Sequence, residues 1–451
     1  MTIDRVAVAD QTPPGQEPER LPATVRRHIF LYIGILTVLL AFGGPSGGLV
    51  DIPVSFFLKN RLRLEASEVA HFRLIASIPL YLSFVFGFAR DMWNPLGMGD
   101  RGFLLVFGSL CAVLYLVFAL APLTYASLLA AMIVLTTSFL FVASALNGLM
   151  STIGQQHAMT GQISAAWNIF SSIPLVASLL IGGWLSSRLE EQSDASAARI
   201  LFLVGAAIMA AVSLFALLRP RDVFAHVHPE HGAKVHPFED IKRLLGHWRI
   251  YPGLLIWLLW NFAPGAATPL QYHLQNVLHA SDAQWGQWNA IFGASFIPTF
   301  ILYGFLCRRF PLKKLLLWGT LVAVPQNIPL LFTHSMTAAL TAAVPMGLMG
   351  GVATGAYMDL IIRSCPRGLQ GTMLMLASSL FSMVTRFGDI LGTVLYDRYG
   401  GFSACVAAIT FVYALILPAL LLIPKSLIAT ADGQVNEGAG ETASHSPETR
   451  Q

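Results

Sequence analysis

Twelve apolar runs, each long enough to cross a bilayer, constrain this chain more than any other feature of its sequence. With a window of about 20 residues, the length a helix needs to span the hydrocarbon layer, they fall near 28–58, 68–90, 102–121, 124–150, 160–186 and 198–218. After a polar stretch they resume near 250–275, 283–306, 313–332, 336–362, 370–397 and 402–423. In lipid every backbone N–H and C=O must find a partner inside the chain, so the fold expected is an all-α membrane protein. Composition agrees: 55% of the 451 residues are hydrophobic, 12% are charged and the mean hydropathy is +0.64. A soluble core could not hide that much apolar surface.

The polar segments divide the chain. Residues 1–26, with Pro13, Pro14, Pro18 and Pro22 among polar neighbours, read as a disordered tail. The apolar run after Arg26 and Arg27 is too long for a signal peptide and is expected to stay as the first span. Then come a six-helix half over 27–218, a linker over 219–249, a second six-helix half over 250–424, and a Gly-, Glu- and Ser-containing tail over 425–451, again expected to be disordered. Twelve spans put both termini on one side. Basic loops resist translocation, and with the termini inside only Lys59, Arg61, Arg63, Arg188, Arg199 and Arg398 remain outside, whereas Arg308, Arg309, Lys313, Lys314 and many others lie within. The expected location is therefore the cell (inner) membrane, multi-pass, with both termini cytoplasmic. Cys111, Cys307, Cys365 and Cys405 are far apart and form no CxxC pair, which implies neither a disulfide framework nor a zinc knuckle.

The two halves repeat one another. Pro53, Leu58, Asn60 and Leu62 recur 216 residues later as Pro269, Leu274, Asn276 and Leu278. Leu64, Ala66, Ser67 and Glu68 recur 214 residues later as Leu278, Ala280, Ser281 and Asp282, and each Ser is placed to cap the next span. Gly87-Phe88 returns as Gly304-Phe305, and Gly161 and Gly182 return at a common offset of 210 as Gly371 and Gly392. Two parallel six-helix repeats surround an axis along the membrane normal with a cavity between them, the architecture of a transporter. The first span is interrupted by Gly43-Gly44-Pro45-Ser46-Gly47-Gly48, and the seventh by Pro264-Gly265 and Pro269. Broken backbone at membrane depth must line water or protein, so both helices are expected to face that cavity.

The stretch Gly87-Phe-Ala-Arg-Asp91, followed by Met-Trp-Asn-Pro-Leu-Gly-Met-Gly-Asp-Arg101, resembles the major facilitator superfamily, whose loop between spans two and three carries Gly-x-x-x-Asp followed by basic residues. The residues between Asp91 and Arg101, with Ser55-Phe-Phe-Leu-Lys-Asn60 and Cys365-Pro-Arg-Gly-Leu-Gln-Gly371, resemble its folate and biopterin transporter branch. The resemblance implies twelve transmembrane helices in the major facilitator fold, and a gate formed by Gly87, Asp91 and Arg101. In that gate the Asp91 carboxylate sits against the N-terminal end of span eleven, near Gly368, where the helix dipole favours negative charge. The other reading of Asp91 is an ordinary loop ion pair with Arg90 or Arg101. In the second half Gly304-Phe-Leu-Cys-Arg308-Arg309 puts a basic residue where the acid would stand, so a latch there is expected to be weak or absent.

Charges inside spans cost on the order of 2.5 to 3.5 kcal/mol each on insertion scales and need a reason. Arg386 and Asp389, at i and i+3 in span eleven, are close enough to pair. Facing the cavity, Arg386 suits a substrate carboxylate or phosphate, while Asp389 holds it or exchanges protons; the alternative is a structural ion pair. Asp51, just past the break of span one, is the candidate proton-coupling acid, against a role as a cap. Asp359, near Arg363, reads as interfacial. Amide and aromatic residues at depth, namely Trp167 with Asn168, Asn261 with Trp257 and Trp260, Gln271 with Tyr272, and Gln326 with Asn327, could bracket a planar heterocycle.

The linker holds His226, His228, His231 and His236, but a flexible His-rich stretch lacks fixed geometry, and no metal or other cofactor is expected. Residues 236–249 read as an amphipathic surface helix. No Walker loop and no catalytic constellation at helical spacing is present, so no enzyme is expected. The expected function is secondary active transport of a small organic solute, anionic or heterocyclic, by alternating access and symport with H+. The expected state is a monomer in the lipid bilayer. The alternative is a non-transporting assembly factor or sensor of the same fold.

Overall fold

The computed structural model describes residues 22–433, apart from 47–48, 51–53, 55–57, 59–61, 63–65, 123, 192–195, 219–241, 243, 245 and 367. Among the described residues the secondary structure is helical throughout, and the helices group into twelve successive segments. In the first half these are α1 (Ala23–Gly43), α2 (Ala66–Ala76, Ile78–Tyr81 and Ser83–Met92), α3 (Asp100–Leu120), α4 (Tyr125–Gln156), α5 (Thr160–Glu191) and α6 (Ser196–Leu217). In the second they are α7 (Ile250–Asn261, Thr268–Tyr272 and a π turn, His273–Val277), α8 (Asp282–Arg309), α9 (Leu312–Ala323 and Ile328–Phe332), α10 (Met336–Ser364), α11 (Gln370–Arg398) and α12 (Gly401–Ala414, Ile416–Ala419 and Leu420–Leu422). Nine of the described helices are both long and apolar enough to cross a membrane. On α3, Leu110, Val113, Leu116, Val117 and Leu120 stand exposed, as a lipid-facing surface requires.

Local chemistry sets the boundaries. Ser281 forms a capping box with Gln284, its hydroxyl accepting the Gln284 N–H at 3.2 Å while the Gln284 side chain accepts the Ser281 N–H at 2.9 Å. Ser67 lies within the first turn of α2 rather than ahead of it. Thr124 and Ser335 cap α4 and α10 through their hydroxyls alone, which accept from the Ser127 and Ala338 N–H groups. Regular helix in α1 stops at Gly43, where the glycine run begins. In α7 it stops at Asn261, turns through Gly265 at φ +107, a conformation that glycine adopts without strain, and restarts at Thr268 with Pro269 in its first turn.

The Tyr115 hydroxyl near the end of α3 donates to the Gly43 carbonyl at the end of α1, so α1 and α3 run in parallel. Ala23 therefore shares a face of the bundle with the α2–α3 turn. The last described residues reach the same face: Asp432 N–H donates to the Cys307 carbonyl and Gly433 N–H to the Ala158 carbonyl. This is called the terminal face below. Residues 425–433, expected from the sequence as part of a tail, are packed: Lys425–Ile428 forms a helical turn, α13, and Ile428, Ala431 and Asp432 are buried. The linker histidines His226, His228, His231 and His236 lie outside the described residues, as does most of the expected surface helix.

Candidate functional site

The hydrogen bonds that join the two halves cluster at the terminal face. The N-terminus of α11 presents free backbone N–H groups at the positive end of its dipole, and Asp91 at the end of α2 fills it. Its carboxylate accepts from Gly371 N–H at 3.1 Å, Thr372 N–H at 2.6 Å and the Thr372 hydroxyl at 2.6 Å. Arg90, buried alongside, donates Nη1 to Asp91 at 2.7 Å and spans both oxygens of Asp100 at 2.6 Å each. Gly87 lets the helices meet: a Cβ there would stand 2.5 Å from the Gly371 carbonyl oxygen. Gln155 donates to the Ile362 and Cys365 carbonyls, at 2.8 Å each, and accepts from Gln370.

A second charged cluster lies where α5 meets α8 and α10. Asp359, fully buried, accepts from the Tyr303 hydroxyl at 2.9 Å and pairs with Arg363 at 2.9 Å. Arg363 also reaches the Thr160 hydroxyl, the Thr430 carbonyl and Asp432. Asp359, read from the sequence as interfacial beside Arg363, is buried near the end of α10 and forms the inner end of this network.

Away from the terminal face, among the described residues, no hydrogen bond joins α11 to the first half beyond Ser379. Going up the helix in steps of four and three, Gly371, Met375, Ser379, Ser382 and Arg386 form one stripe. Its lower part is covered by α2: the Ser83 hydroxyl donates to the Met375 carbonyl at 2.9 Å, and the Ser379 hydroxyl donates to Tyr81. Arg386, about two turns beyond Ser379 at 3.6 residues per turn, is exposed and among the described residues has no ion-pair partner. The expected pairing with Asp389 is not made. Asp389 instead accepts from the backbone N–H and the hydroxyl of Thr268, both at 2.8 Å, and so caps the restart of α7. Groups freed by a helix break have no other partner at that depth, and they take the carboxylate.

Residues 159–393, a little over half of the chain, match the family model of the Major Facilitator Superfamily. The chain belongs to this superfamily. A folate-biopterin transporter from Synechocystis sp. is 23% identical to it over an alignment of 379 residues, and the match covers 78% of this chain and 72% of that protein. The human organic anion transporter MFSD10 (TETRAN) superposes with a TM-score of 0.58 at 16% identity, covering 89% of this chain and 100% of that one. The transporter FucP in its outward conformation gives 0.62 at 16% identity, covering 88% and 98%. At that identity the two crystal structures show the shared fold alone.

The other residues singled out from the sequence fall unevenly over this superfamily fold. Asn168 is buried on α5 and donates back to the Ser164 carbonyl at 2.8 Å, with Trp167 half-buried beside it. Asn261, at the break of α7, donates to the Trp257 carbonyl at 2.8 Å, and Trp257 donates to the Ala377 carbonyl of α11 at 3.0 Å. Gln271 is half-buried on the short second piece of α7. Trp260 stacks on Tyr413, its ring centroid 4.6 Å away, inside the second half. Gln326 and Asn327 are buried in the turn between the two pieces of α9, whose main contacts among the described residues are with α10 and α12 of the second half. Arg101 ties α3 to the end of α6 through the Ala216 and Leu217 carbonyls, at 3.0 and 3.2 Å. Asp51 lies outside the described residues. Arg90 and Asp100 carry more of the Asp91 cluster than Arg101 does; their spacing around Asp91 was the available signal. Asp432, in a segment read as tail, gave none.

Proposed function

We propose that this superfamily member is a secondary active transporter of small organic anions, working by alternating access, with the terminal face toward the cytoplasm and both termini inside the cell (inner) membrane. The observation that carries the reading is Arg386. An arginine in mid-span costs several kcal/mol in lipid, and among the described residues Arg386 has no ion-pair partner. Here it continues the stripe of α11 that faces the other half, just past the point where α2 stops covering it. A guanidinium held there meets water in one state and a substrate carboxylate or phosphate in the next, bound through two parallel hydrogen bonds. Asn168, Trp167, Asn261 and Gln271 supply amides and an aromatic face for the rest of the ligand. The names of the relatives, folate-biopterin and organic anion, turn the search toward anionic and pteridine-like compounds.

In this reading the contacts of Asp91 close the cytoplasmic gate, with Gly87 allowing the approach and Arg90 holding the carboxylate. Opening breaks the bonds to Gly371 and Thr372. The coupling ion is the proton, and Asp51, which follows the glycine run of the first span in the sequence, is the candidate acid. The protein acts as a monomer.

A thermal-shift series on the purified protein tests the reading, with folic acid, a neutral pteridine, benzoate and a sugar as probes. An anion present at about 100 times its Kd stabilises the folded state by about 2.7 kcal/mol. Anions are expected to raise the melting temperature of the wild type, to lose that effect in Arg386→Ala and to keep part of it in Arg386→Lys. If no probe shifts the wild type, or Arg386→Ala responds equally, the anion-transport reading fails and the non-transporting alternative stands.

A further inference from the structure

We propose that the segment Thr430–Gly433 is the latch of the second half, and that Asp432 does at α5 what Asp91 does at α11. The span-eight sequence carries Arg308 at the position equivalent to Asp91, counted from the matching Gly87 and Gly304, and Arg308 is exposed. An acid is nevertheless in place. Asp432 accepts from Gly161 N–H at 3.3 Å and Gln162 N–H at 2.9 Å. Asp91 accepts from Gly371 N–H and Thr372 N–H. Gly161 and Gly371, and likewise residues 162 and 372, are equivalent at the repeat offset of 210. The two carboxylates therefore occupy corresponding sites at the N-termini of α5 and α11, where the helix dipoles favour them.

The correspondence extends to the cation. Arg90 bridges Asp91 and Asp100, and Arg363 bridges Asp432 and Asp359. A Cβ on Gly371 would stand 2.7 Å from Asp91 Oδ1, and one on Gly161 would stand 2.8 Å from Asp359 Oδ2. Both glycines leave room for the carboxylates. Each latch crosses between halves in the opposite sense: Asp91 belongs to the first half and holds α11, whereas Asp432 is fixed to the second half and holds α5. The second-half anchorage consists of Asp432 N–H on the Cys307 carbonyl and Arg363 Nη1 on the Thr430 carbonyl, the latter at 3.0 Å. When the terminal face opens, Asp432 leaves Gly161 and Gln162 and stays with α8 and α10.

This proposal rests on the alternating-access reading, and native cysteines test the two separately. Cys307 lies in the seam between α5 and α8, where a Cβ on Gly161 would stand 2.7 Å from its Cβ. Cys365 lies in the seam closed by Gln155 and Asp91. All four cysteines are buried. The full chain in detergent is treated with a bulky maleimide, and labelling of each cysteine is followed by mass spectrometry in wild type, Asp432→Ala, Asp432→Asn and Asp91→Ala.

Asp432→Ala is expected to raise the rate at Cys307 on the order of tenfold, for two charge-assisted bonds lost between the halves, with Cys111 and Cys405 unchanged. Asp432→Asn, which keeps one acceptor, falls between. No rise at Cys307, or a rise shared by Cys111 and Cys405, overturns the proposal, because the segment is then only a prop of the fold. If Asp91→Ala raises labelling of Cys365 while Asp432→Ala leaves Cys307 unmoved, only this proposal fails. If neither moves, the alternating-access reading falls with it.

Discussion

Replacing Asp91 with alanine shifts the balance between closed and open terminal face, and the structure sets the size of the shift. Three hydrogen bonds cross between the halves at this carboxylate, from Gly371 N–H, Thr372 N–H and the Thr372 hydroxyl. Because they share one carboxylate, each is counted at about 1 kcal/mol net, below the range for isolated charged bonds, giving about 3 kcal/mol. The helix dipole adds a few tenths to 1 kcal/mol. The competing effect is the burial of an orphaned Arg90, which would cost about 3 to 5 kcal/mol and unsettle the fold itself. It does not arise, because Arg90 keeps two bonds of 2.6 Å to Asp100 within the same half. Asp91→Ala is therefore expected to raise the open-to-closed ratio about 100-fold at 1.4 kcal/mol per decade, with little loss of overall stability. Spin labels at Asn94→Cys and Lys313→Cys, exposed positions on the terminal face of the two halves, report the populations as a distance distribution. A ratio that rises less than about threefold, under about 0.7 kcal/mol, would refute the gate.

Two further outcomes are expected. Asp389→Asn keeps one acceptor for Thr268 and loses the other, so it is expected to cost about 1 to 3 kcal/mol of stability while leaving the response to anions intact. Unchanged melting with a lost ligand response would instead place Asp389 on the substrate. The second outcome concerns pH. Burial and the neighbouring Asp359 carboxylate push Asp432 up to about 7, against the pull of Arg363 and of the Gly161 and Gln162 N–H groups, with Cys307 and Tyr303 also facing the cluster. A carboxyl whose docked pKa lies above its free value takes up a proton on docking, so the segment is held more tightly as pH falls from about 7 toward 4 and least tightly above 7. Hydrogen exchange of the peptide 425–433, corrected for its intrinsic pH dependence, is expected to slow about tenfold per unit over that window. Protection that is flat or rises with pH contradicts the assignment.

The spans were legible because hydrocarbon leaves the chain no freedom: each run from 68–90 onward falls on a helix or, as in α7, on the pieces of a broken one, and in the first run regular helix stops at Gly43, where the glycines begin. Which way a polar residue faces was less legible. Arg386 and Asp389 are neighbours in sequence, yet the broken α7 brings two unsatisfied donors of Thr268 to Asp389 from 121 residues away. Gln326 and Asn327 are as polar and as deep as Asn168, but α9 turns them into the second half, and nothing in their own spacing records the packing of α10 and α12 around them.

The two latches show the same limit in a sharper form. The receiving surface is written twice in a similar way: a Cβ at 371 would meet Asp91 and Arg90, and one at 161 would meet Cys307 and Asp359, so both positions are kept without a side chain where a charged cluster packs on the helix N-terminus. That constraint is local, so it survives in the sequence as a pair of glycines at the repeat offset. The donor of the carboxylate is under no such constraint. Electrostatics asks for negative charge within hydrogen-bond reach of two N–H groups, and a residue at the end of α2, at 91, satisfies this as well as a residue at 432, 271 positions beyond the glycine it meets. Reading Arg308 as the loss of the second latch followed from looking for the acid at its equivalent position. The glycine at 161 was the better guide, because its small size has a reason only if something must come close to it.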